Sequence, residues 1–163
     1  MIKTLTSRVR LMALLLVGLA LAACTDAAPK GGGDILVIGD SVMAWNGSSD
    51  QAIPDAMAAS LGRNVVSKAV PGAQFTNDST LLSAVGFDIQ DQYPGGRWNW
   101  IVVNGGANDL GFNDCKCAAC TPVVDTLIAA DAATGEIPAF LSRLRSTGAQ
   151  VMWMGYYAGN GKG

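Results

Sequence analysis

The sequence predicts a parallel α/β sheet covered by helices on both faces. Two observations carry this. Short apolar runs rich in β-formers alternate with helical patterns along the chain, the order in which strands and crossover helices build a parallel sheet. Runs such as Ile35–Ile38 and "VMWM" near the C-terminus are apolar at every position, as in strands buried on both faces rather than on one. At 163 residues the chain holds at most one domain.

The elements follow in order. Ile35–Ile38 is the first strand, running directly into Gly39-Asp40-Ser41. A helix is expected over about Gln51 to Leu61, ended by Gly62, and a second strand over Asn64–Ala69. "WIVVN", Trp100–Asn104, is the third strand. Thr121 is placed to cap a helix with Pro122 in its first position and Val123, Val124, Leu127 and Ile128 on one face. Ile137, Phe140, Leu141 and Leu144 then show the i, i+3, i+4, i+7 spacing of a second helix, closed by Gly148. The fourth strand is expected over Val151–Tyr157. Its interior-type pattern calls for neighbours on both sides, since an edge strand of that kind exposes unpaired backbone and apolar surface. A further strand and helix are therefore expected beyond residue 163.

Residues 1–23 read as a signal peptide. Lys3, Arg8 and Arg10 precede any acid, and Leu11–Ala22 is apolar but too short for an ordinary membrane span. Leu21-Ala22-Ala23-Cys24 resembles the bacterial lipobox. That resemblance implies a diacylated Cys24 as the mature N-terminus, and hence a lipid anchor on the periplasmic side of a bacterial cell envelope. Cleavage as an ordinary secretory signal would instead release the protein. Residues 24–33 form a short tether, and 34–163 the folded domain. A formal charge of −2 gives no electrostatic reason to expect a nucleic-acid partner.

Three turns carry residues suited to chemistry, each just after its own strand. Ser41 follows the first strand, where a hydroxyl can be exposed while its backbone N–H faces a developing oxyanion. Gly72, in "AVPGAQ", follows the second, where glycine lets backbone approach a ligand. Gly106, Asn108 and Asp109, in "NGGANDL", follow the third, and the Asn108 amide is a further oxyanion donor. Singly, each is an ordinary turn or cap residue. Together, Gly39-Asp40-Ser41, Gly72 and Gly106-Ala107-Asn108-Asp109 resemble the first three signature blocks of the SGNH, or GDSL-type, hydrolases.

The resemblance spans about Asp34 to Tyr157. It implies a flavodoxin-like three-layer α/β/α sandwich lacking its last strand and helix, and hydrolysis of ester or related acyl bonds on a small molecule or polymer. Ser41 would be the nucleophile. Its own N–H, the Gly72 N–H and the Asn108 side chain would form the oxyanion hole, with Gly39, Asp40, Gly106 and Asp109 shaping the turns. The fourth block, Asp-x-x-His, has no counterpart, and the chain contains no histidine. Serine is a poor nucleophile without a base, and an ordinary aspartate is too weak a base to replace histidine. The missing pair is expected downstream of residue 163, leaving this chain nearly inactive. The alternative is a non-catalytic module of the same shape that binds glycans or acylated envelope polymers. Neither reading requires a cofactor or a metal.

Cys115, Cys117 and Cys120 lie close after Asn108. In an oxidising compartment such cysteines usually pair, and three of them leave one over. Their expected role is to pin the loop beside the site; a metal centre would need a fourth ligand. Trp45, Phe112 and Tyr157 follow strand ends and are candidates to line a substrate pocket, whereas Trp98, Trp100 and Trp153 are expected to pack.

Overall fold

The computed structural model describes residues 28–77, 79–112 and 120–156. Its four strands are β1 (Gly32–Ile38), β2 (Val65–Ser67), β3 (Arg97–Val103) and β4 (Gln150–Trp153). They lie in the order β2-β1-β3-β4, and every neighbouring pair is parallel. This is the start of the doubly wound order in which strand sequence reverses beside β1, opening a crevice between the carboxyl ends of β1 and β3.

Helices cover both faces, as the sequence predicts. Leu36 and Ile38 point to one face, packing with Val66, Ile101, Val103, Leu127, Phe140 and Leu144. Ile35 and Val37 point to the other, packing with Met43, Ala69 and Val102 and with partly buried Ile53 and Met57. The period-two alternation of strand side chains thus feeds two separate apolar cores from one continuous apolar run. The first face carries α5 (Thr121–Leu127) and α6 (Glu136–Arg145); the second carries α1 (Ser41–Ala44) and α2 (Ile53–Leu61). Two further short helices, α3 (Thr80–Ser83) and α4 (Ala107–Phe112), were not expected from the apolar periodicity. At four and six residues they are too short to display it.

Several boundaries differ from expectation for local reasons. β1 begins at Gly32, so Gly32 and Gly33 of the expected tether pair with Arg97 and Trp98, and β3 starts three residues early. Gly32 is required there: a Cβ would sit 1.7 Å from the Arg97 carbonyl oxygen. In α5, Cys120 rather than Thr121 occupies the cap position and makes no side-chain cap bond. Val123 and Leu127 face the core, but Val124 and Ile128 are exposed, because only one side of this helix meets the sheet. α6 buries Phe140 and Leu144, with Ile137 and Leu141 packed beside them, as predicted.

β4 is shorter than predicted and lies at the sheet edge. Trp98 is buried, whereas Trp100 and Trp153 are each more than a third exposed, so the expectation that all three pack holds fully only for Trp98. Trp100 lies on the interior strand β3 and Trp153 on the edge strand β4, on opposite faces of the sheet; Trp153 still meets the Phe75 ring, with centroids 6.1 Å apart. No described helix is long and apolar enough to cross a membrane.

Candidate active site

The first turn is built on a buried polar framework. Asp40 is 1% exposed and caps α1, its Oδ1 accepting from the Val42 N–H at 2.9 Å. Asn104, fully buried just after β3, grips the same residue twice. Its Oδ1 accepts from the Asp40 N–H at 3.1 Å, and its Nδ2 donates to Asp40 Oδ1 at 2.9 Å. Gln92 grips the preceding residue, accepting from the Gly39 N–H at 2.7 Å and donating to the Gly39 carbonyl at 2.9 Å and to the Gly86 carbonyl at 2.8 Å. Gly39 cannot be replaced without displacing this frame, since a Cβ there would lie 1.9 Å from Asn104 Oδ1. Ser41, half-buried, is the first residue of α1, and among the described residues nothing hydrogen-bonds its hydroxyl.

The second and third turns are tied to each other. Asp109, fully buried in α4, accepts from the Phe75 N–H at 3.0 Å, the Thr76 N–H at 2.9 Å and the Thr76 hydroxyl at 2.7 Å. Asn108 Nδ2 donates to the Ala73 carbonyl at 2.9 Å, and Gln74 Nε2 returns a bond to the Asn108 carbonyl at 3.3 Å. An amide NH₂ has two donors, so the Ala73 bond leaves Asn108 one N–H for another acceptor. Gly72 adopts φ +86, in the region glycine tolerates best, beside Ala73.

Tyr156, just past β4, joins this assembly to the first turn. Its hydroxyl donates to Asp40 Oδ2 and accepts from the Ala107 N–H at 3.3 Å. Burial, followed by the bond to Asp40, raises the phenol pKa above its ordinary 10.0, so Tyr156 stays protonated and is unsuited to act as a base. The carboxylate oxygens of Asp40 and Asp109 are likewise occupied by structural donors.

Ser41, Gly72 and Asn108 therefore sit on three mutually bonded turns at the carboxyl end of the sheet, with Ser41 and Asn108 flanking the β1/β3 crevice. Gly106 lies at the start of the third turn against Leu127 and Ile137. Trp45 is 69% exposed and stands away from the core. Cys24, Cys115, Cys117, Tyr157 and the Phe112 side chain lie outside the described residues. Sequence reasoning missed Gln92, Asn104 and Tyr156. Asn104, a polar residue closing an apolar strand, was the only one with a visible signal.

The model of the GDSL-like lipase/acylhydrolase family matches residues 37–162, and the chain belongs to that family. A solved structure from Slackia heliotrinireducens, described as a candidate SGNH hydrolase, is similar at 19% identity and a TM-score of 0.38. The match covers 75% of this chain and 55% of that one, so the chain spans about half the length of that relative. No curated protein matches.

Proposed function

We propose that Ser41 is the nucleophile of an acyl hydrolase cleaving ester bonds. Its Oγ adds to the ester carbonyl carbon while a base takes the hydroxyl proton. The resulting oxyanion is received by the backbone N–H groups of Ser41 and Gly72 and by Asn108 Nδ2. Collapse breaks the bond to the alcohol oxygen, which leaves with the proton returned from the base. Water then hydrolyses acyl-Ser41 by the same path in reverse roles. No cofactor enters this chemistry.

The observation that carries the reading is the bonded continuity of the three turns, Asn108 to Ala73 and Tyr156 to both Asp40 and Ala107. Preorganised donors of this kind cost no reorganisation when charge develops. In this reading the base is a histidine, which the 163 residues do not supply. Lipidation at Cys24 would hold the enzyme at the envelope membrane, facing acyl esters there; cleavage as an ordinary signal would instead release it.

The second reading is a non-catalytic module of the same shape that binds glycans or acylated polymers. Imidazole added as an external base separates the two. The chain should hydrolyse p-nitrophenyl acetate in imidazole faster than its Ser41→Ala variant does, and without imidazole the two should be alike. A version continued through its natural downstream codons should need no imidazole. Equal rates for wild type and Ser41→Ala in every condition would remove the nucleophile and leave the binding module.

A further inference from the structure

We propose that Tyr156 is a positioning residue that sets two oxyanion donors with one hydroxyl; this rests on the Ser41 reading above. The phenol proton goes to Asp40 Oδ2 and its lone pair receives the Ala107 N–H at 3.3 Å. Each contact acts on a different donor.

Asp40 controls the first donor. Its Oδ1 is already held by the Val42 N–H and Asn104 Nδ2, at 2.9 Å each. With Oδ2 held by Tyr156, the carboxylate cannot rotate about its terminal bond, and the Asp40–Val42 segment that carries the Ser41 N–H is fixed between cap and carboxylate. Ala107 controls the second. It is the first residue of α4, directly before Asn108, and its N–H is one of the donors a helix start leaves without an intrahelical partner. Bonding it to the phenol sets where the helix begins, and so the direction of the Asn108 side chain.

Tyr156 thereby links the chain leaving β4 to the turns after β1 and β3. The raised phenol pKa fits the role: the proton stays on the oxygen and the bond to Asp40 persists through the physiological range.

Tyr156→Phe removes the hydroxyl alone from a side chain more than a third exposed, so the fold should survive. Kinetics are measured on the chain with imidazole and p-nitrophenyl acetate. The variant should lose about tenfold or more in kcat with little change in KM, the signature of misplaced donors rather than lost substrate binding. Tyr93→Phe, which removes a hydroxyl bonded to the Gly96 carbonyl away from the site, should leave both constants alone. Amide hydrogen exchange, read by NMR, provides an arm independent of activity. Ala107 and Val42 should exchange faster in Tyr156→Phe while amides of β1 and β3 do not. Unchanged kcat, or unchanged exchange at both amides, overturns the proposal. If Ser41→Ala matches wild type, the nucleophile reading fails, and the exchange arm alone decides whether Tyr156 holds the two turns.

Discussion

The carboxyl end of the sheet and its β4 edge reverse the usual arrangement in opposite ways. At the carboxyl end, polar side chains are buried: Asp40, Gln92, Asn104 and Asp109 are each 3% exposed or less. At the β4 edge, apolar side chains are exposed, with Met152 at 50% and Trp153 at 37%. Burying a polar group is costly unless it is bonded, and no buried side-chain polar atom among the described residues lacks a partner. The buried polar set therefore marks a place where backbone geometry is held for a purpose. The edge has no comparable framework. A groove of about 660 Å³, lined by Ile137, Leu141, Arg145 and Trp153 among others, opens beside β4 and does not include Ser41. The first region is specified by buried hydrogen bonds and the second by the β3–β4 ladder and apolar contacts such as Trp153 with Phe75, so substitutions should separate them sharply.

The largest effect is expected for Asp109→Ala. It strips the partner from two backbone N–H groups and a hydroxyl, and should cost about 3–5 kcal/mol by urea unfolding. Gln92→Leu orphans three backbone groups and should cost about 2–3 kcal/mol in the same titration. Gly39→Ala, whose new methyl meets Asn104, should cost about 1–3 kcal/mol. Tolerance of all three would erase the distinction between the two regions.

A pH dependence sharpens it further. The Tyr156 phenol has a raised pKa in the folded chain, so its contribution is intact below the ordinary 10.0 and declines as pH rises above it. Stability should therefore fall more steeply above that pH in wild type than in Tyr156→Phe, as read by thermal melts across an alkaline series. At the opposite extreme, Met152→Lys on the exposed edge should change stability by about 0.5 kcal/mol or less. Its visible effect should be reduced self-association in analytical ultracentrifugation, because charge blunts edge pairing.

The strands of the parallel sheet and the three turns were legible because each signal is local. An apolar run, a glycine and a small polar residue stand together at Gly39–Ser41 and again at Gly105–Asp109. What holds those turns was not legible. Gln92, Asn104 and Tyr156 act on partners 53, 64 and 116 residues away. In the first two cases those partners include backbone groups, which leave no mark in sequence. The exposed Val124 and Ile128 were misjudged for a related reason: an apolar face says that a helix can pack, not how much of the sheet lies beneath it. The strong apolar pattern of β4 likewise reports what the strand could pair with, rather than what lies beside it here.

The most direct test of Ser41 as nucleophile is to find the acyl group on it. The chain would be treated with p-nitrophenyl acetate and imidazole, quenched, and mapped by peptide mass spectrometry beside a sample unfolded in urea. Acetyl on Ser41 in the folded sample, lost on unfolding while lysine acetylation persists, is the predicted result. Acetyl confined to lysines in both samples, with Ser41 unmodified, would contradict it.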